Sequence, residues 1–211
     1  MNQITENVQK PGKVGKDTGN INKAFKNAAK TIESTFQLPH LAHTPMEVPN
    51  AVAWVQGDTC EVWAPTQDPQ SARKEVTDYL ETTEDKVTIN VTFLGGGFGR
   101  KSKPDYVVEA VTVSKAINAP VQVVWTREDD IKHGYFHTVS AQYLKASLDK
   151  NGKVTGWLHR FALPSIVSTF QPGVDYAAGF EISSAANVPF DIENLKVEVG
   201  QAPAHVRIGW L

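Results

Sequence analysis

Cysteine is nearly missing from this chain of 211 residues: Cys60 stands alone. A disulfide, a thiolate zinc site and a cysteine-ligated iron–sulfur cluster are therefore excluded within the polypeptide. Cys60 falls in an apolar alternation and reads as a packed core thiol. Long apolar runs are missing too, and none approaches the roughly 18 residues of a membrane span. The opening MNQITENVQKPGKVGK is polar and lacks the apolar stretch of a secretory signal. Nor is one sign of charge in excess. The 21 Lys and Arg stand against 23 Asp and Glu, a net charge of −2, which gives no electrostatic footprint for nucleic acid. What remains is a globular composition, 41% hydrophobic and 21% charged, long enough for one large or two small domains with a real core.

The informative stretch is Lys86–Lys101, KVTINVTFLGGGFGRK. Val87, Ile89, Val91 and Phe93 alternate with polar residues, the period of a half-buried strand. The strand runs into Gly95, Gly96 and Gly97, then Phe98, Gly99, Arg100 and Lys101. A chain accepts successive glycines where φ must be positive or where something approaches the backbone closely. Bare N–H groups followed by two cations suit an anionic or oxygen-rich ligand; the alternative is a simple bend into the next helix. Two phosphate loops are near misses. Both the dinucleotide fingerprint and the P-loop, started at Gly95, need glycine where Arg100 stands. A degenerate P-loop over Gly95–Ser102 stays as a minor nucleotide-binding alternative.

In chain order, residues 1–20 read as a flexible lead-in rich in Lys, Asn and Gly. Asn22 is placed to cap a short helix, and Thr31–Leu38 reads as a strand with Ile32, Phe36 and Leu38 inward. His40, His43 and Glu47 could bind a metal, but Pro45 breaks the helix that would align them, so a structural role is favoured. Ala51–Gln56 and Thr59–Ala64 flank the turn pair Gly57-Asp58 as a hairpin. Asp68 and Pro69 start a helix with Ala72, Val76, Tyr79 and Leu80 as its buried stripe. Asp105–Ile117 is apolar nearly all round and predicts a deeply buried helix. Val121–Thr126 closes a strand–loop–helix–strand unit around the glycines. Arg127–His133 reads as a charged connector. Val139–Leu148 and Lys153–Leu163 flank a second hairpin turn at Asp149–Gly152. Residues 164–194 read as long ordered loops, and Leu195–Val199 as a last strand.

Five ordered segments carry a family resemblance: LPHLAHTPMEVPNAVA (38–53), VWAPTQDPQ (62–70), LGGGFGRK (94–101), PVQVVWTREDDIKHG (120–134) and PFDIENLKVE (189–198). The chain resembles the molybdenum-binding large subunit of the xanthine dehydrogenase and aldehyde oxidase family, in its isoquinoline 1-oxidoreductase branch. The fold this implies is α+β, with mixed sheets and helices on one side. Residues 21–211 would then be a partial molybdopterin-binding domain, cut at its C-terminus.

The resemblance implies an oxidoreductase that hydroxylates N-heterocycles or aldehydes with water-derived oxygen. It implies a molybdenum–molybdopterin cofactor, in the cytosine dinucleotide form, and two [2Fe–2S] clusters on a separate small subunit. Gln67 matches the glutamine whose amide hydrogen-bonds an oxygen ligand of the metal. Phe98, with Gly96, Gly97 and Gly99 beside it, matches the segment whose backbone N–H reaches the same ligands. Arg100 replaces a glycine usual in the xanthine dehydrogenase branch. None of these residues is expected to bond the metal. The sequence also departs from the family: Val48 stands where proline is usual, and His137 where arginine is common. The family's general base, a glutamate in a Gly-Glu pair, has no counterpart, and the chain stops after Gly209-Trp210-Leu211. The expectation is a fragment of a larger subunit that holds no cofactor and does not turn over alone, needing the remaining large-subunit segments as partners. A non-catalytic remnant or an assembly module that binds a sister subunit is the alternative. The compartment, cytoplasmic or periplasmic, is left open.

Overall fold

The computed structural model describes residues 1–210. Residues 1–20, expected as a flexible lead-in, instead form helix α1 (Asn2–Val8) and strand β1 (Lys13–Thr18). α1 buries Ile4 and Val8, and β1 pairs with a strand near the other end of the chain. A two-residue apolar stripe and so distant a partner leave little trace in a local window. Helix α2 (Ile21–Lys26) is capped by Asn20 rather than Asn22; the Asn20 side chain accepts the Lys23 N–H at 2.9 Å. Strand β2 (Lys30–Leu38) forms as expected, yet Ile32, Phe36 and Leu38 are exposed rather than inward.

β3 (Leu41–Ala42) follows. β4 (Asn50–Gln56) and β5 (Thr59–Ala64) make the hairpin expected at Gly57-Asp58. α3 (Pro69–Leu80) starts at the Asp68 cap; of its expected stripe Ala72 and Val76 are buried, whereas Tyr79 is exposed. β6 (Val87–Val91), α4 (Asp105–Ile117) and β7 (Val121–Val124) complete the unit around the glycines. Arg127–His133, expected as a connector, is helix α5. Thr126 and Asp129 exchange its N-terminal bonds, a capping box written with Asp in place of Glu or Gln. β8 (Phe136–His137), β9 (Ser140–Leu148) and β10 (Val154–Ala162) come next. The stretch 164–194 contains helix α6 (Gly179–Ala186), and β11 (Asn194–Val199) is the last strand.

The chain divides into two units. The first, residues 1–41 with 138–208, holds a five-stranded sheet in the order β1-β11-β10-β9-β2. Only the β10–β11 pair is parallel. Ala162 packs with Ile4 and Val8 of α1, whereas its neighbour Phe161 packs with Ala185 of α6. Successive strand residues point to opposite faces, so α6 covers the face that α1 does not. The second unit, residues 42–137 with Gly209 and Trp210, holds a sheet in the order β6-β5-β4-β7. Here α3 and α4 lie on one face: Val76, Tyr106, Val107, Ala110 and Val111 share a core with β4, β5 and Val87. α4 is less enclosed than its composition suggests, since Val113 and Ile117 are exposed. Its Ser114 hydroxyl accepts the Val55 N–H and donates to the Ala119 carbonyl, tying both ends of the helix–strand packing.

Candidate functional site

The glycine stretch lies in the second unit, between β6 and α4. Regular pairing of β6 ends at Val91, and one further bond, Thr92 N–H to the Ala64 carbonyl at 3.2 Å, carries the loop along the end of β5. Phe93, expected as an inward strand residue, is fully exposed, and Leu94 and Val91 are exposed too. The loop crosses to the turn that follows β5. The Gln67 N–H donates to the Lys101 carbonyl at 3.0 Å, and the Thr66 hydroxyl donates to the same oxygen at 3.1 Å. Tyr106, buried at the start of α4, donates to the Pro65 carbonyl at 2.9 Å.

Gln67 and the glycines meet directly. Gln67 Oε1 accepts the Gly99 N–H at 3.0 Å, and a Cβ on Gly97 would stand 2.3 Å from that oxygen. Gly99 has φ +81°, and a Cβ there would meet the Trp210 carbonyl at 2.1 Å. These two positions therefore need glycine for closeness, and Gly99 for its backbone angle as well. Phe98 between them has φ +50°, a strained angle for a side chain with a Cβ. Its ring is 63% exposed while Gly97 and Gly99 are buried. Two sets of donors are left over. Among the described residues, neither the Phe98 N–H nor the Gln67 amide NH2 has a protein acceptor.

Both cations of the motif point inward, against the expectation that they face an anionic ligand. The Arg100 guanidinium, 1% exposed, makes a two-pronged pair with Asp105 at 2.8 and 2.9 Å. It lies 5.0 Å from the Trp125 ring, 5.4 Å from Tyr135 and 5.9 Å from Tyr106, within cation–π range. Its buried Nε–H has no acceptor among the described residues. Lys101 is fully buried and donates to Glu47 Oε2 at 2.6 Å. The same carboxylate oxygen accepts the Gly95 N–H at 2.8 Å, and the Glu47 N–H donates to the Gly95 carbonyl at 3.0 Å. Glu47 thus clamps both ends of the loop. Burial works against its charge, but the Lys101 ammonium, the Gly95 N–H and the Asn50 side chain together hold its carboxyl below the usual range.

Sequence reasoning placed Glu47 in a possible metal set, and the structure assigns it elsewhere. His43 is likewise engaged, its ring nitrogens bonded to the Tyr135 and Trp210 carbonyls at 3.0 Å each. Among the described residues no three His, Cys, Asp or Glu side chains are gathered to hold a metal ion. Arg127 also escaped the sequence reading: its guanidinium bonds Asp130 at 2.6 Å and the Pro45 and Met46 carbonyls at 2.6 and 3.0 Å. It thereby fixes the segment that carries Glu47. No spacing rule would have found these pairs, which are 54 and 82 positions apart.

A family described as the molybdopterin cofactor-binding domain matches residues 3–202. The beta subunit of isoquinoline 1-oxidoreductase from Brevundimonas diminuta is 31% identical over 174 residues, 81% of this chain and 22% of that protein. A nicotinate dehydrogenase subunit of Pseudomonas putida is 23% identical over 205 residues, 92% of this chain and 17% of that protein. The solved aldehyde oxidoreductase of Desulfovibrio gigas shares the fold with a TM-score of 0.75 at 17% identity, covering 94% of this chain and 22% of that one. The chain spans about a fifth of the length of these proteins. Among the described residues no helix is long and apolar enough to cross a membrane.

Proposed function

The chain belongs to the molybdopterin cofactor-binding domain family, and from that premise we propose that Gln67 and the loop Gly96–Arg100 form one wall of the cofactor site in an oxidoreductase of aldehydes or N-heterocycles. The observation that carries this reading is the pair of donors without protein acceptors, the Gln67 amide NH2 and the Phe98 N–H, on a loop whose glycines bring backbone and amide together. The donor set fits the group. A metal held by its own pterin sulfurs needs no His or Cys from the chain, only donors for its oxygen ligands.

When bound, the molybdenum–pterin group supplies oxygen transfer and takes up two electrons. This chain's residues orient it. Gln67, fixed through Oε1 by Gly99, keeps its NH2 as donor. Phe98 presents its N–H because Gly97 and Gly99 hold it at positive φ. Arg100, the last residue of that wall, also acts through the fold: its fork on Asp105 locks the loop to α4. Glu47 and Lys101 close the loop from the other side.

The finer assignments rest on the family resemblance. The cofactor is the cytosine dinucleotide form, and electrons leave through [2Fe–2S] clusters on a partner subunit. The state of Cys60 supports the second point. It is the one cysteine of the chain and is buried, so this polypeptide has no set of thiolates for a cluster. The chain alone does not turn over: it spans about a fifth of its relatives and its sequence contains no Gly-Glu pair. The nucleotide reading is not favoured, because Lys101, the cation a P-loop needs on phosphate, is buried on Glu47. The test is turnover of the purified chain with an N-heterocycle or an aldehyde and a dye acceptor. No turnover alone, with activity on adding the remaining subunit segments, is expected. Turnover by the chain alone overturns its inactivity as a fragment, and no activity after the remaining segments are added overturns the oxidoreductase reading.

A further inference from the structure

We propose that His43 is a positioning residue of the glycine loop, and that it grips the loop only while its ring carries both protons. The proposal rests on the reading of that loop as a wall of the cofactor site. His43 follows β3, and its half-buried ring lies between two backbone carbonyls. Nδ1 stands 3.0 Å from the Tyr135 oxygen, and Nε2 stands 3.0 Å from the Trp210 oxygen. The ring packs closely there: a Cβ on Gly209 would meet His43 Cε1 at 3.1 Å and Tyr135 Cβ at 3.2 Å. The Trp210 carbonyl held by Nε2 is the one seated on Gly99, where a Cβ would stand 2.1 Å from it. Gly99 in turn donates its N–H to Gln67 Oε1. His43 therefore reaches the Gln67 amide through two links. Through its other nitrogen it holds Tyr135, whose ring lies 5.4 Å from the Arg100 guanidinium. All of these residues belong to the second unit.

A carbonyl oxygen only accepts hydrogen bonds. A neutral imidazole has one N–H and one bare nitrogen, so between two carbonyls it serves one and turns a lone pair on the other. The imidazolium donates to both. The charged groups around the ring are known. His137 lies 6.2 Å away between ring centroids. Arg100 and Lys103 sit on the Tyr135 ring at 5.4 and 5.5 Å, and Arg100 is paired with Asp105. Arg127, on the Pro45 and Met46 carbonyls, is paired with Asp130, and Glu47 is paired with Lys101. The cations oppose a second proton on His43, and the two carbonyls favour it. Loss of that proton releases one carbonyl, so the loop should be tightest in mild acid and loosen as pH rises through the ordinary histidine range near about 6.5. That direction is opposite to Glu47 and His159, whose lowered values make acid destabilising.

Amide hydrogen exchange of the chain, read by NMR and corrected for the intrinsic rate at each pH, tests this. Protection of the Gly99 N–H should fall about tenfold or more between roughly pH 5.5 and 8, the size of one hydrogen bond from a charged donor. In His43→Gln, whose amide donates to one carbonyl at most, protection should be low and independent of pH. His137→Gln should keep the parent profile. Nitrogen shifts of the His43 ring give a second readout that needs no variant, with both nitrogens protonated at about pH 5.5. A flat Gly99 profile in the parent overturns the proposal, and so does a profile that survives His43→Gln or is abolished by His137→Gln. A neutral His43 ring at about pH 5.5 overturns it as well. Exchange is read on the chain alone, so these failures strike His43 and leave the cofactor wall standing. A pH-dependent profile in a chain whose assembly takes up no molybdenum would do the reverse.

Discussion

Gln67 Oε1 accepts the Gly99 N–H at 3.0 Å, although the two residues stand 32 positions apart. One bond therefore fixes two things, the side chain that offers an amide NH2 and the backbone of the loop that offers the Phe98 N–H. Most of the surrounding polar network holds this arrangement in place: Thr66 and Gln67 on the Lys101 carbonyl, Tyr106 on Pro65, Glu47 on Gly95 and Lys101.

The substitution Gly97→Ala tests that closeness. Its Cβ would stand 2.3 Å from Gln67 Oε1, so the amide must swing away and lose Gly99. The expected cost is about 1–3 kcal/mol, the usual range for overpacking, read as a fall in the urea midpoint. A variant as stable as the parent would mean that Gln67 is not held as described.

Asp105→Asn leaves the Arg100 guanidinium, 1% exposed, without its carboxylate. Removing one partner of a buried pair costs about 3 kcal/mol or more, and the Asp105 side chain, 21% exposed, places this case near the lower end. Denaturant unfolding checks it, and Asp105→Glu should not restore the fork.

Glu47→Gln removes the charge that holds the buried Lys101. A carboxyl held below its ordinary 4.5 contributes stability that is present above that pH and lost as pH falls through the lowered value. The parent should therefore exceed the variant in stability at pH 7, and the gap should close as pH drops below about 4.5. A gap that does not change with acid would assign the loss to shape rather than charge.

His159 sets a second pH dependence. Burial lowers its pKa from 6.5 to about 4, and its Nε2 lies 2.7 Å from Gln142 Oε1. The folded state favours the neutral ring, so this contribution is complete above pH 6.5 and is lost as pH falls towards 4. On the order of 3 kcal/mol is expected. Stability measured between those pH values should fall more steeply in the parent than in His159→Gln.

Local chemistry was readable where a few neighbouring residues decide the backbone. The turns at Gly57-Asp58 and Asp149–Gly152, the Asp68-Pro69 helix start and the glycine loop itself all stand where their residues place them. What depends on distant partners was not readable. β1 is a strand because of β11, and Ile32 and Phe36 look like core residues but sit at a sheet edge. Arg100 and Lys101 follow a glycine loop as anion-binding cations would, and only Asp105 and Glu47 show that they brace it from behind. Of the residues named for the site, Gln67, Gly97 and Gly99 come together directly, Gly96 and Phe98 line the same loop, and Arg100 supports it.

The most direct measurement is the molybdenum content of the chain in the assembly proposed above, with the large-subunit segments and the iron–sulfur subunit which that proposal requires. Near one metal per parent chain is expected, and a loss of about tenfold or more in Gln67→Ala, the range for a residue that bonds a metal's ligands. Full occupancy in Gln67→Ala and in Gly97→Ala alike would contradict the account.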